Sequence, residues 1–121
     1  MIWNVDNNVI GLLSLALDAA TMRQQAIAHN IANAAMPGFQ RIGVSFEERF
    51  AALGGAAPQM SSVEAQRFQP SFALQGLPGD TVALDQEMAA MSENTLHHQA
   101  LLKVLSKQMN LMSIAINEGK R

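Results

Sequence analysis

Three histidines, a cluster of carboxylates and a pair of asparagines are the side chains of this sequence with the most chemistry to offer. His29, His97 and His98 could each ligate a metal or move a proton near neutral pH. Their spacing argues against a shared task. His97 and His98 are adjacent, so a helix turns them to different faces, and neither has His, Asp or Glu four residues on. Asp80, Asp85 and Glu87 gather just before an apolar periodic stretch, where helix capping and the helix dipole explain them better than acid–base catalysis. The sequence contains no Gly-rich phosphate loop, GxSxG elbow or HExxH pattern. The expectation is a protein that is not an enzyme, without cofactor or metal. Asn30 and Asn33 lie three apart on one helix face, just ahead of Met36-Pro37-Gly38-Phe39. Two readings stand side by side. Their amides satisfy the open carbonyls where the helix stops, or they bridge to a neighbouring subunit.

The elements that must position these residues follow from periodicity. Ile10, Leu13, Leu17, Ala20, Gln24, Ile27, Ile31 and Ala34 step by three and four residues. So do Leu84, Met88, Met91, Thr95, His98, Leu102, Leu105, Met109, Met112 and Ile116. Such stripes mark the a and d seam of helices that pack on other helices. The first helix is expected over about Val9–Ala35, with Asn7 or Asn8 as cap and Pro37-Gly38 as stop. The second runs from an Asp85 cap to about Asn117, with Gly119 as stop. Between them, Ile42, Val44 and Phe46 alternate with Arg41, Gly43 and Ser45 as a short extended signal, and Phe46–Leu53 could instead make a helical turn or two. From Gly54 to Gly79 periodicity is lost, and the chain reads as a loop or an extended arm.

The expected fold is therefore an all-α core. Long N- and C-terminal helices form an antiparallel coiled-coil hairpin, joined by an irregular arm with a short extended segment. The division is 1–36 for the N-terminal helix, 37–83 for the arm and 84–121 for the C-terminal helix, the two helices making one domain. The expected seam comprises Ile10, Leu13, Leu17, Gln24, Ile27 and Ile31 against Met88, Met91, His98, Leu102, Leu105, Met109 and Met112. In the register that places Ala34 opposite Met88, Gln24 faces His98, so one polar layer meets another.

Composition limits what such a hairpin can do. With 121 residues, 49% apolar content, a net charge of −2 and no cysteine, nothing points to nucleic acid, a polybasic membrane patch or a disulfide scaffold. Aromatic residues are only 5% of the chain, which disfavours a large ligand-stacking site, and no small-molecule substrate is expected. No cleavable secretory signal is visible: Asp6 stands where a basic segment would be, and Arg23 is the first positive side chain. Four of the eight apolar residues in the second stripe are methionine, which fills gaps but specifies packing weakly. Ordering each residue costs ~1–2 kcal/mol of backbone entropy, so a lone hairpin is marginal. Between Val9 and Met36 only Asp18 and Arg23 are charged, and a helix so apolar around its circumference needs more than one partner. Other copies or other proteins are the simplest source of that partner.

The stretch Ala28-His29-Asn30-Ile31-Ala32-Asn33-Ala34-Ala35-Met36-Pro37-Gly38-Phe39 resembles the N-terminal signature N-I-A-N-x-x-T-P-G-Y/F of bacterial flagellar rod and hook proteins. Asn30, Ile31, Ala32, Asn33, Pro37, Gly38 and Phe39 carry the match, while Met36 replaces the usual threonine. Val82-Ala83-Leu84-Asp85-Gln86-Glu87-Met88 and Asn94-Thr95-Leu96-His97-His98-Gln99 resemble the V-x-L/M-D-x-E-M and N-x-L-x-Y-Q segments of proximal-rod members, with His98 at the tyrosine. The resemblance covers both ends of the chain. It implies a structural subunit of the proximal rod in the flagellar basal body. Export would run through the flagellar type III apparatus without a cleaved signal peptide. Assembly into a helical tube would involve other copies, other rod proteins, the basal-body linker protein and the export gate. The alternative reading is a helical adaptor or chaperone-like hairpin that holds a partner helix in its Met-rich groove.

Overall fold

The computed structural model describes residues 2–46, 69–77 and 79–119. Two long helices, α1 (Ile2–Ala32) and α2 (Leu84–Gly119), are joined through a two-stranded antiparallel sheet of β1 (Ile42–Ser45) and β2 (Ser71–Leu74). α1 begins well before Val9, so Asn7 and Asn8 lie within the helix and do not cap it. No proline or glycine interrupts residues 2–8, and an asparagine or aspartate inside a helix costs under ~1 kcal/mol.

α1 ends at Ala32, three residues short of the expected stop. His29 O accepts from the Asn33 backbone N–H at 3.1 Å and from Asn33 Nδ2 at 2.8 Å. The Ala34 N–H then bonds Ile31 O at 3.3 Å, and a tightened turn replaces the next helical one. Gly38, at φ +77°, takes the chain through the left-handed region and returns it towards the helix. The His29 and Phe39 rings meet at 5.4 Å between centroids and close this turn against α1.

The extended signal at Ile42–Phe46 becomes β1, while its partner lies in a segment that reads as a loop. Ile42 pairs with Leu74, Gly43 with Ala73, Val44 with Phe72 and Ser45 with Ser71. β2 is four residues long between Pro70 and Gln75-Gly76, too short for its own alternation to stand out from the arm. The alternative of a helical turn over Phe46–Leu53 falls on 47–53, outside the described residues, as does the expected arm over 54–68.

The core sits where the sheet meets α1. Ala19 and Ala26 face Val44 and Phe46, with Leu15, Ala16, Met22 and Ile42 packed around them. Small side chains on this face of α1 let the strand approach closely. The apolar circumference of α1 thus finds a second partner within its own chain. One face meets β1, and another, with Ala20 and Gln24, meets α2. Other molecules are not needed to cover the face turned to β1.

Candidate functional site: a four-element polar node

The segment carrying the flagellar-type signature leads into a hydrogen-bonded node that joins every described element. Hydrogen-bonding direction alternates along a strand. The Arg41 carbonyl accepts from the Gln75 N–H at 2.8 Å, towards β2, so the Ile42 N–H and C=O point the other way. Asn30 meets both. The Ile42 N–H donates to Asn30 Oδ1 at 2.9 Å, and Asn30 Nδ2 donates to Ile42 O at 2.8 Å. One amide side chain on α1 does what a neighbouring strand would do and closes that edge of β1 at Ile42. Asn30 is fully buried, and its Nδ2 also lies 3.5 Å from Glu87 Oε2 on α2.

Glu87 is 2% exposed, and a buried carboxylate needs partners. Arg41 supplies one, through an ion pair between its Nε and Glu87 Oε1. The same guanidinium donates from Nη1 to Gln75 Oε1 at 2.7 Å. Gly43 leaves room beside it for the Gln75 amide, which a Cβ at that position would push aside. Among the described residues no buried side-chain nitrogen or oxygen lacks a hydrogen-bond partner.

Neither reading of the asparagine pair covers both residues. Asn33 satisfies a terminal carbonyl, as the first reading has it. Asn30 bridges to β1 and α2 of its own chain. Ile31 and Phe39 are half-buried, Ala32 exposed, and Pro37 and Gly38 form the exposed turn between α1 and β1. Sequence reasoning misses Arg41 and Gln75 because their partners are distant: Arg41 lies 46 residues from Glu87 and 34 from Gln75. It finds Glu87 only as a first-turn acid, which it also is. Asp85 lies inside that turn, with Oδ1 accepting the Gln86 N–H at 2.9 Å, so it is not the residue before the helix.

A second polar layer corrects the expected helix register. Gln24 is paired with Asn94, not His98. Asn94 Nδ2 donates to Gln24 Oε1 at 3.0 Å and to Ala20 O at 2.8 Å. Asn94 meets residues 20 and 24, whereas Glu87 meets residue 30, so the two helices run antiparallel. His98 lies one turn further along, half-buried beside a shallow cleft of about 230 Å³ that Ala20, Gln24 and Asn94 also line. The absence of a side chain larger than methyl at Ala20 lets the Asn94 amide reach the backbone of α1.

The α2 seam is rotated accordingly. Met91, His98, Leu105 and Met112 are half-buried, but Met88, Leu102 and Met109 are 57%, 45% and 58% exposed. Glu87, Asn94, Leu101 and Gln108 take the places expected for those three and Thr95. Each step along a helix turns about 100°, so drawing Glu87 and Asn94 inward turns Met88 and its row outward. On α1, Ile27 is buried and Ile10, Leu13, Leu17, Gln24 and Ile31 are half-buried. His29 and His97 are exposed and His98 half-buried, and among the described residues no three metal-binding side chains converge. An open cleft of about 500 Å³, lined in part by Arg23, Arg41, Glu93 and His97, lies between α1, β1 and α2. The node has the chemistry of a structural joint: amides, one ion pair and backbone groups that bind one another.

The sequence was compared with known proteins. It is 32% identical to the flagellar basal body rod protein FlgB of Escherichia coli (strain K12), over 86% of this chain and 89% of the relative. It is 28% identical to FlgB of Yersinia ruckeri, over 86% of this chain and 90% of that protein. FlgB of Cereibacter sphaeroides (strain ATCC 17029 / ATH 2.4.9) is also 28% identical, over 88% and 92%. No family model matches the chain.

Proposed function

Since the chain belongs to the flagellar basal body rod protein FlgB family and is thus a structural protein of the rod, we propose that it is a subunit of the proximal rod, at the base of the basal body above the export gate. The two helices act there as an antiparallel coiled-coil hairpin that completes its packing against neighbours. Those neighbours are other copies and other rod proteins, with the basal-body linker protein and the export gate at the lower end. Head-to-tail repetition of one such contact, with a rotation that does not close, generates a helical tube. Delivery to the periplasmic side runs through the flagellar type III apparatus.

One observation carries this reading. Leu102, Val104, Met109, Leu111, Ile114 and Ile116 are all exposed along the distal half of α2. Leu102, Met109 and Ile116 lie on one side of α2 and Val104, Leu111 and Ile114 on the other, and large apolar side chains exposed on two sides of a helix are surface that water disfavours and neighbouring helices cover. The segment Asn30, Ile31, Ala32, Asn33, Pro37, Gly38 and Phe39 contributes indirectly, by fixing how the two-stranded sheet sits on α1. The inward row and the polar layers then set the angle at which the outward row of α2 is presented.

The test is to express the tagged chain in cells lacking their own FlgB and to purify flagellar basal bodies. The tagged chain should co-purify with the rod and restore motility. The variant Leu111→Glu with Ile114→Glu should fail in both while the protein accumulates normally. Recovery as a discrete soluble complex, absent from basal bodies, would favour the adaptor reading and reject this one.

A further inference from the structure

The two edges of the small sheet are finished differently. Along an antiparallel strand the backbone groups of one residue point to one neighbour, and those of the next residue point the other way. Arg41 and Gln75 bond to each other across the sheet, so Ile42 and Val44 of β1, and Phe72 and Leu74 of β2, turn their N–H and C=O groups outwards. On β1, Asn30 takes up both groups of Ile42. On β2, no hydrogen bond among the described residues reaches Phe72 or Leu74 from outside. Composition does not protect this edge either. Edge strands are commonly blunted by lysine, proline or a bulge, and Ser71-Phe72-Ala73-Leu74 has neither charge nor proline. Phe72 and Leu74 are 49% and 66% exposed, although their cross-strand partners Val44 and Ile42 pack on α1. β2 therefore overhangs α1, with its apolar side chains and its backbone groups open together.

We propose that β2 is a docking edge for β2 of a second copy of this chain, the two strands pairing antiparallel about a two-fold axis at Ala73. Register is what selects a second copy. Pro70 has no N–H, and Gly76, at φ +80°, has left the strand, so the usable edge is bracketed to Phe72 and Leu74. Setting Phe72 opposite the second copy's Leu74 also sets Leu74 opposite its Phe72, and every outward N–H and C=O finds a partner. A slip that sets Phe72 on Phe72 brings Leu74 to Pro70. A slip that sets Leu74 on Leu74 brings Phe72 to Gly76. Each slip loses bonds. In the full register Ala73 meets Ala73 at the close, non-hydrogen-bonded position, where Cα atoms approach to about 4.5 Å and a methyl side chain fits. The strand is uncharged, so it meets its own copy without repulsion. The two β1 strands then stand three strand spacings apart, about 14 Å. Helices in direct contact stand about 8–10 Å apart. The two α1 helices, each on its own β1, leave a gap over the central strands, and Phe72 and Leu74 of both copies fill it. A two-fold contact closes on itself and does not extend. It belongs to the free chain and not to the tube, and the inference holds whether or not the chain enters a rod.

The chain contains no cysteine, so a single introduced cysteine reports its own neighbours. Purified full-length Ala73→Cys, held in a glutathione redox buffer, should form a disulfide dimer, because the facing Cα atoms lie within disulfide range. Ser71→Cys, on the same strand and the same face, should form at least ~10-fold less dimer, since the two copies of position 71 stand about 14 Å apart in this register. A charge exchange then tests which residues face each other. In the Ala73→Cys background, Phe72→Lys with Leu74→Lys sets like charges opposite one another and should lower the dimer yield ~5-fold or more. Phe72→Glu with Leu74→Lys sets opposite charges together and should restore it. Both variants place two charges on β2, so loss in the first with recovery in the second is not a folding defect. Equal dimer yields at positions 71 and 73, or equal yields from the two charge variants, overturn the proposal. If the edge serves a strand of a different protein, the purified Ala73→Cys chain stays monomeric, and that result overturns it as well.

Discussion

Replacing Asn30 by aspartate changes one NH2 into one oxygen, nearly without change of shape, and isolates the contribution of the node. The introduced carboxylate would still accept the Ile42 N–H, which now approaches Asn30 Oδ1 at 2.9 Å. Its other oxygen would face Ile42 O, now 2.8 Å from Asn30 Nδ2, and Glu87 Oε2, now 3.5 Å from it. Leaving a buried carbonyl unpaired costs ~1–3 kcal/mol. Setting two carboxylates together at a site where Glu87 is 2% exposed adds a penalty of ~1–2 kcal/mol, since solvent screens little there. The expected loss is about 2–5 kcal/mol, a large share of the ~5–15 kcal/mol stability of a typical domain. Urea denaturation followed by far-UV circular dichroism measures it. Asn33→Asp is the control, because Asn33 makes a single side-chain bond to His29 O in the exposed turn, and its loss should cost ~0.5–1.5 kcal/mol. Adding Glu87→Gln to Asn30→Asp should restore ~1–2 kcal/mol relative to additivity, because the new amide can donate to the carboxylate at position 30. Equal losses at positions 30 and 33, together with strict additivity at 30 and 87, would refute the node as the joint between elements.

Three further substitutions probe other parts of the fold. Asn94→Leu should cost ~1–3 kcal/mol by stranding Gln24 Oε1 and removing the second hydrogen bond to Ala20 O, while His98→Leu should stay within ~0.5 kcal/mol; the reverse order in urea midpoints would reject the register. Gly43→Val should evict the Gln75 amide from Arg41 and lower stability by ~1–2 kcal/mol, and an unshifted midpoint would show that the Arg41–Gln75 bond contributes nothing. Leu102→Gln with Met109→Gln should leave monomer stability within ~0.5 kcal/mol yet reduce self-association in sedimentation, and association as strong as before would remove this row from the interface.

The two helices and the stop after the first are legible because they depend on local rules. Three- and four-residue apolar spacing, a Pro-Gly pair and first-turn acids act within a few residues of themselves. The strand at Ile42–Ser45 is legible for the same reason, through its alternation. β2 is not, because Ser71–Leu74 becomes a strand by pairing with β1 and has little pattern of its own. The face of α2 is half legible. Apolar periodicity finds Met91, His98, Leu105 and Met112, but it assigns polar residues to water, and here Glu87 and Asn94 are held inside by specific partners. A buried polar residue is visible in a sequence only when its partner is known. Asn30 illustrates the limit: the family signature marks it as special, yet its partner is a backbone 12 residues away, across a turn whose geometry depends on Gly38.

The corrected face gives the C-terminal periodicity a second meaning. Seven-residue spacing relates two adjacent rows on α2: Met91, His98, Leu105 and Met112 are half-buried against α1, while Met88, Thr95, Leu102, Met109 and Ile116, about 60° round the helix, are exposed. An unpartnered outward row on a surface helix is free to be polar, and Glu93, Lys103 and Lys107 show that α2 does carry charge elsewhere. The outward row does not, being apolar at four of its five positions. A stripe that reads in sequence as one seam is therefore better understood as two half-seams. The inward half is interrupted by His98 and flanked by Glu87 and Asn94, whose hydrogen bonds fix the alignment of α2 on α1. The outward half has no polar group beyond a threonine hydroxyl, which bonds back to Met91 O at 2.9 Å. Directional bonds specify the fold within the chain, and the non-directional apolar surface is left for contact between chains. This division suits a subunit that must hold one internal geometry while packing against neighbours that are not all identical.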